Sequence, residues 1–214
     1  MSDRRARLDA AILYLVCDER PDAFLERALR GGVDIVQLRI KDGSDDERIV
    51  AIASRYRRAC EAAGALLIVN DRPDLALTAG ADGVHLGQDD VAVQRAREIV
   101  GEQRLVGLST HSAAQIAAAA SAGVDYIGVG PVHATPTKPG RPAVGLELVS
   151  YAARHSALPF FAIGGIEAAN VVAVRDAGAR RVAVVRSLTE AEDPELAARA
   201  LRVALGAEAR GGAT

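Results

Sequence analysis

Residues 122–130 read AGVDYIGVG, a glycine suited to closing a helix followed at once by an apolar run of strand character. The same layout recurs as GGVDIV (31–36), AGADGV (79–84) and AGARRV (177–182), so the chain carries a weak internal repeat. Working outward, each copy precedes an even-numbered member of a series of eight strand candidates. These are AILYLV (11–16), DIVQLRI (34–40), ALLIVN (65–70), GVHLG (83–87), RLVGLS (104–109), DYIGVG (125–130), LPFFAIG (158–164) and RVAVVR (181–186). Between most of them lie amphipathic runs rich in Ala and Arg: 22–31, 45–64, 91–101, 112–123, 167–178 and 194–205, with only the short PDLALTAG (73–80) available after the third strand. Strands apolar on both faces, each followed by a helix, imply parallel βα units. Eight such units predict one closed (β/α)8 TIM barrel spanning residues 1–214, with a short polar N-terminus and a frayed tail over 206–214. The alternative is a doubly wound open sheet, but the G-x-G-x-x-G turn expected after its first strand is missing.

Composition narrows the function. Half of the 214 residues are hydrophobic and only 3% aromatic, so the core is built from Ala, Val, Leu and Ile. Net charge is −2 with both signs interspersed, which supports neither a nucleic-acid surface nor a membrane face; any anion site has to be local. Cys17 and Cys60, the only cysteines, sit in apolar or helical patterns and read as reduced core residues. The start, MSDRRARLDA, lacks the apolar stretch of a signal peptide, and no apolar run approaches the ~20 residues that span a bilayer. The expectation is a cytoplasmic protein.

In such a barrel the chemistry sits where strands end. Alternation along the second strand puts Gln37, Arg39 and Lys41 on one face, with Leu38 and Ile40 toward the helices. Two inward cations need anionic company, either a ligand or a structural salt bridge. The third strand ends in Asn70-Asp71-Arg72 and the fourth in Gly87-Gln88-Asp89-Asp90. Asp71 with Asp89 or Asp90 would repel unless a cation or proton lay between them, and magnesium suits such a pair; equally, one of Asp89 and Asp90 is expected to cap the helix near Val91. His85 reads as a hydrogen-bonded interior histidine, His133 as a partly exposed loop residue without a task. Of Ser109 and Thr110, one is expected to cap the next helix, with Ser109 nearer a ligand; no G-x-S-x-G elbow supports a nucleophilic serine. The loop VGPVHATPTKPGRPAV (129–144) holds four of the eight prolines and carries Thr135, Thr137, Lys138 and Arg141. Gly164-Gly165 and the segment Val185-Arg186-Ser187 close the last two strands, where these barrels hold phosphate. Two anion-binding regions at one mouth suggest two phosphorylated substrates, or one with phosphates at both ends.

QLRIK (37–41), NDR (70–72), DGVHLGQDD (82–90), GLSTH (107–111), GPVHATPTKPG (130–140), AIGGI (162–166) and VAVVRSL (182–188) together resemble the thiamine phosphate synthase family, in order and across nearly the whole barrel. The resemblance implies a transferase that joins 4-amino-2-methyl-5-hydroxymethylpyrimidine diphosphate to a (carboxy)thiazole phosphate, by a dissociative substitution assisted by one magnesium ion per site. It implies that Gln37, Leu38, Arg39, Ile40, Lys41, Asn70, Ser109 and Lys138 hold the pyrimidine diphosphate, with Arg39, Lys41, Ser109 and Lys138 serving catalysis. It assigns Asp71 and Asp90 to the metal, and Thr135, Pro136, Thr137, Gly165, Val185 and Arg186 to the thiazole phosphate. Two positions depart from the family pattern: His133 stands where an apolar or aromatic residue is expected, and Arg186 where serine is common. The partners implied are phosphorylated small molecules, not nucleic acid or membrane, and a homo-oligomer is left open. Three rivals are a thiazole tautomerase, which has no need of Asp71 and Asp90; a sugar-phosphate isomerase, for which no mouth base stands out; and a regulatory ligand-binding barrel.

Overall fold

The computed structural model describes residues 3–41, 43–135 and 142–207. Eight parallel strands close into a barrel in sequence order: β1 (Leu13–Cys17), β2 (Ile35–Leu38), β3 (Leu66–Asn70), β4 (Gly83–Leu86), β5 (Leu105–Thr110), β6 (Tyr126–Val129), β7 (Phe160–Ile163) and β8 (Val182–Val184). Register runs from Tyr14 opposite Ile35 around to Leu13 opposite Val182, which joins the first strand to the last. Six strands lie within the runs expected of them, while β1 and β5 each extend one residue further, to Cys17 and Thr110. The helices are α1 (Asp3–Ala10), α2 (Asp22–Arg30), α3 (Asp46–Ala62), α4 (Pro73–Thr78), α5 (Val93–Val100), α6 (Ala113–Ala119), α7 (Gly145–His155), α8 (Val171–Asp176), α9 (Arg186–Thr189) and α10 (Pro194–Ala204).

Two elements escape a reading by apolar period. The polar start forms α1, whose one buried residue, Leu8, enters the bottom of the barrel. The four-residue α9 follows β8 directly.

The internal repeat has a physical cause. Its glycines Gly32, Gly80, Gly123 and Gly178 all adopt positive φ (99°, 68°, 81° and 107°), the conformation that turns a finished helix toward the next strand. The aspartate that follows in three copies reaches back to the preceding strand. Asp34 accepts from the Ile12 and Leu13 amides at 2.8 and 3.0 Å, Asp82 from Leu67 at 2.9 Å, and Asp125 from Val106 at 2.8 Å. Arginines neutralise all three: Arg202 on Asp34 (2.6 Å, both buried), Arg4 on Asp82 (2.8 Å), and Arg5 and Arg97 on Asp125 (2.8 and 2.7 Å). In the fourth copy Arg180 stands in the aspartate's place, and its neighbour Arg181 donates to the Ala11 carbonyl at 3.1 Å.

Alternation along the strands splits the core in two. Leu13, Leu15, Val36, Leu38, Leu67 and Val69 pack outward against the helices, whereas Tyr14, Val16, Ile35, Ile68, Tyr126 and Phe161 fill the barrel itself. Three of the seven aromatic residues thus meet at its centre. Phe161 stands edge-on to Tyr14 (5.3 Å, 89°) and to Tyr126 (5.7 Å, 82°). Cys17 and Cys60 are buried and free, as expected.

Candidate active site

The C-terminal ends of the strands surround a cavity lined by Gln37, Arg39, Asn70, His85, Ser109, Thr135, Gly165, Val185 and Arg186, among others. Pro136, Thr137, Lys138 and Arg141 lie outside the described residues. The remaining expected site residues are all placed at or beside this mouth.

At the end of β2, Gln37 is buried inside the barrel, Leu38 packs outward and Ile40 packs partly buried against the outer core. The salt-bridge alternative holds for one cation of the pair only. Lys41 donates to Asp71 Oδ2, while the Arg39 guanidinium has no carboxylate partner among the described residues. Arg39 and Arg186 are the two arginines among the described residues lining the mouth cavity, and neither has a carboxylate partner among the described residues. Most arginines elsewhere are held by carboxylates or carbonyls, so these two stand ready for an anionic ligand.

Asp71 is the one described residue other than glycine with positive φ (62°). That left-handed turn costs an L-residue of order 1 kcal/mol, and it carries the chain abruptly from β3 into α4 while the Asp71 amide donates to the His85 carbonyl at 2.8 Å. Burial pushes the Asp71 carboxyl up, but hydrogen bonding with Asp90 and Lys41 outweighs it and leaves the group below the usual carboxylate range. Asp90 moves the opposite way, raised by its own burial and then by the Asp71 carboxylate. Two carboxyls in mutual contact need a shared proton or cation. Among the described residues no cluster of three or more His, Cys, Asp or Glu could enclose a metal. The pair fits a hard cation that takes two protein oxygens and completes its shell with water and phosphate.

Two helix caps differ from expectation. Neither Asp89 nor Asp90 caps α5, whose N-cap is Ala92 without a side-chain bond; Asp90 Oδ2 instead accepts from the Gly87 amide at 2.7 Å, which holds it at the mouth. Nor does Ser109 or Thr110 cap α6. Ser112 does, accepting from Gln115 N at 3.3 Å, while Thr110 donates to the Gly128 carbonyl at 2.9 Å inside the wall.

His85 is hydrogen-bonded within the barrel, as expected: Nδ1 lies 3.2 Å from the Tyr126 hydroxyl and Nε2 3.0 Å from Ser109 Oγ. Sequence reasoning passed over the continuation of this chain. Tyr126 Oη lies 3.0 Å from Tyr14 Oη, to which Gln37 Nε2 donates at 2.6 Å. Both tyrosines lie in runs expected to be strands, but nothing in the sequence says that side chains of β1 and β6 meet. Glu167 and Glu190 were also missed; they stand on the rim.

On the far side, Gly164 and Gly165 have φ of 107° and 61°, and a Cβ on either would strike the β6 loop, 2.5 Å from Pro131 and 2.8 Å from His133 Cβ. Val132 and His133 donate to the Ile163 and Gly164 carbonyls at 2.8 and 3.0 Å, so the two loops are hydrogen-bonded to each other. His133 Nε2 is buried and without a hydrogen-bond partner among the described residues.

The family model described as "Thiamine monophosphate synthase" matches residues 13–188. The chain is 52% identical to the thiamine-phosphate synthase of Saccharopolyspora erythraea over 94% of its own length and 96% of that protein's. It is also 52% identical to the thiamine-phosphate synthase of a Nostoc species over 90% of its length, but spans only 55% of that longer protein. Among solved structures, the thiamine phosphate pyrophosphorylase of Pyrococcus furiosus superposes with a TM-score of 0.84 at 31% identity, covering 94% of this chain and 97% of that one.

Proposed function

The chain belongs to the thiamine monophosphate synthase family and is a transferase of thiamine biosynthesis; from that premise we propose that it joins 4-amino-2-methyl-5-hydroxymethylpyrimidine diphosphate to a thiazole phosphate by dissociative substitution. The observation that carries this is the division of one mouth into two regions suited to anions, with Arg39 on the β2 side beside the Lys41–Asp71 pair, and Gly165, Val185 and Arg186 on the β7–β8 side.

The chemistry asked of the chain is small. The bond between the pyrimidine methylene carbon and oxygen breaks with its electrons leaving on diphosphate. The thiazole nitrogen then supplies the pair for the new C–N bond, and no proton is transferred. Arg39 and Lys41, with Lys138, stabilise the negative charge that gathers on the leaving oxygens. Asn70 and Ser109 orient the same substrate. Thr135, with Pro136 and Thr137, joins Gly165, Val185 and Arg186 in holding the thiazole phosphate, so that the nucleophile waits in line. Asp71 and Asp90 would hold magnesium, which when bound supplies further charge neutralisation at the diphosphate. The reaction thus calls for cations more than general bases, in keeping with the described mouth: of its two histidines, His85 is engaged inside the barrel and His111 meets the Gly130 carbonyl through Nδ1.

The test is diphosphate release by purified protein given both substrates, with and without magnesium. The expected outcome is metal-dependent release matched by thiamine phosphate, falling by about 10²-fold or more in Arg39→Ala. Binding of thiazole phosphate with no release under any condition would overturn the reading.

A further inference from the structure

The chain of hydrogen bonds inside the barrel joins two mouth residues that stand three strands apart, Gln37 on β2 and Ser109 on β5. Gln37 Nε2 donates to Tyr14 Oη at 2.6 Å; the links onward are 3.0 Å to Tyr126, 3.2 Å to His85 Nδ1, and 3.0 Å from His85 Nε2 to Ser109 Oγ. The chain is built in, not incidental. A Cβ at Gly107 would lie 2.2 Å from Tyr126 Cζ and 2.6 Å from His85 Nδ1, so β5 gives up a side chain to seat the pair. Burial pushes both phenols above their ordinary values, so each keeps its single proton.

One proton per hydroxyl gives the chain a direction. With the Gln37 amide donating inward, Tyr14 must donate to Tyr126 and Tyr126 to His85 Nδ1. Neutral His85 then donates from Nε2 to Ser109, which is left free to donate its own proton into the mouth. Gln37 Oε1 makes no hydrogen bond among the described residues, and Gln37 lines the cavity, where this oxygen can serve only as an acceptor. Turning the amide over reverses every link at once, and both ends exchange character.

We propose that Tyr14, Tyr126 and His85 are positioning residues: a polarised relay that obliges Gln37 and Ser109 to present opposite hydrogen-bonding characters to the ring of the pyrimidine substrate. The relay selects a ring by its pattern of donors and acceptors. This rests on the pyrimidine diphosphate reading above. A 4-aminopyrimidine offers an N–H donor beside a ring-nitrogen acceptor; its 4-oxo analogue offers the reverse and requires the whole relay to invert.

Tyr126→Phe keeps the ring on Gly107 and cuts the relay at its middle. Tyr14→Phe cuts it one link nearer Gln37 and stands in should the first variant fold poorly. The measurement is kcat/KM for the 4-amino and 4-oxo pyrimidine diphosphates, at saturating thiazole phosphate. The expected result is a preference for the amino ring that shrinks about tenfold or more in each variant, on the scale of one misdirected hydrogen bond, while the KM for thiazole phosphate stays put. An equal loss for both pyrimidines, or an unchanged ratio, would reduce the tyrosines to packing and overturn the relay. If wild-type protein turned over neither pyrimidine, the substrate reading itself would fall, a different and recognisable outcome.

Discussion

Asp71 and Asp90 are displaced in opposite directions because they touch: whichever keeps its charge raises the cost of charging the other. The signs follow. Asp71, lowered, contributes stability that is present above the ordinary carboxylate range and fades as pH falls through its folded value. Asp90, raised, weighs against the fold once ionised, and acidification through its folded value relieves that burden. Asp90→Asn imitates the protonated partner, retaining an acceptor for the Gly87 amide and offering Asp71 a donor. In the absence of divalent cation at pH 7 this variant is expected to melt higher than wild type. It should lose any magnesium-dependent rise in Tm, and diphosphate release should fall about 10²-fold or more. Calorimetry with and without the ion reads all but the last.

Elements were legible in proportion to how far apolar patterning governs them. The strands were plain because each is buried on both faces, and α4 proved real, though short, because Pro73 fixes its first turn. Helix α1 was not, since only Leu8 of its eight residues is buried and its half-buried arginines Arg4, Arg5 and Arg7 dock it through polar contacts. The capping errors have a common cause. A side-chain oxygen near a helix start has several amides within reach, and sequence spacing does not say whether Asp90 will choose Gly87 or the helix. Ser112, three residues beyond Ser109, is the cap that α6 uses, and Ser112→Ala is expected to cost about 1 kcal/mol in a denaturant melt while leaving the mouth residues in place. Arg72 ties α3 to α4 through Asp46 (2.7 Å) and Asp74 (2.6 Å). Both carboxyls are lowered by it, Asp46 and Asp74 each chiefly through that hydrogen bond. Arg72→Ala should therefore narrow the acid limb of the stability curve, the difference from wild type vanishing as pH falls below the lowered values.

Across the whole molecule, function and closure occupy opposite ends. At the N-terminal face, α1 lies against three different strand starts: Arg4 reaches Asp82, Arg5 reaches Asp125, Arg7 donates to the Ala65 carbonyl, and Leu8 enters the interior cluster. Leu8→Ala is expected to destabilise by about 2–4 kcal/mol, with kcat/KM unchanged wherever the protein is folded; a large kinetic effect would show that the two ends are mechanically linked. The division of labour also bounds what one sequence can reveal. The bottom is written in a repeat, because the same brace is made three times. The mouth is written in single residues from different strands, and their meeting is a property of the closed barrel.

The strand pairs do not share the load evenly. β1–β2 and β2–β3 each register four residue pairs, but β7–β8 registers two, Ala162–Val182 and Ile163–Ala183, and the repeat that precedes β8 lacks the bracing aspartate. This junction is the seam of the barrel. It runs up to the loops carrying Gly164, Gly165, Val185 and Arg186, so a phosphate gripped by both loops acts as a suture across it. In native-state hydrogen exchange the amides of β7 and β8 should open first in free protein and gain the most protection when thiazole phosphate is added.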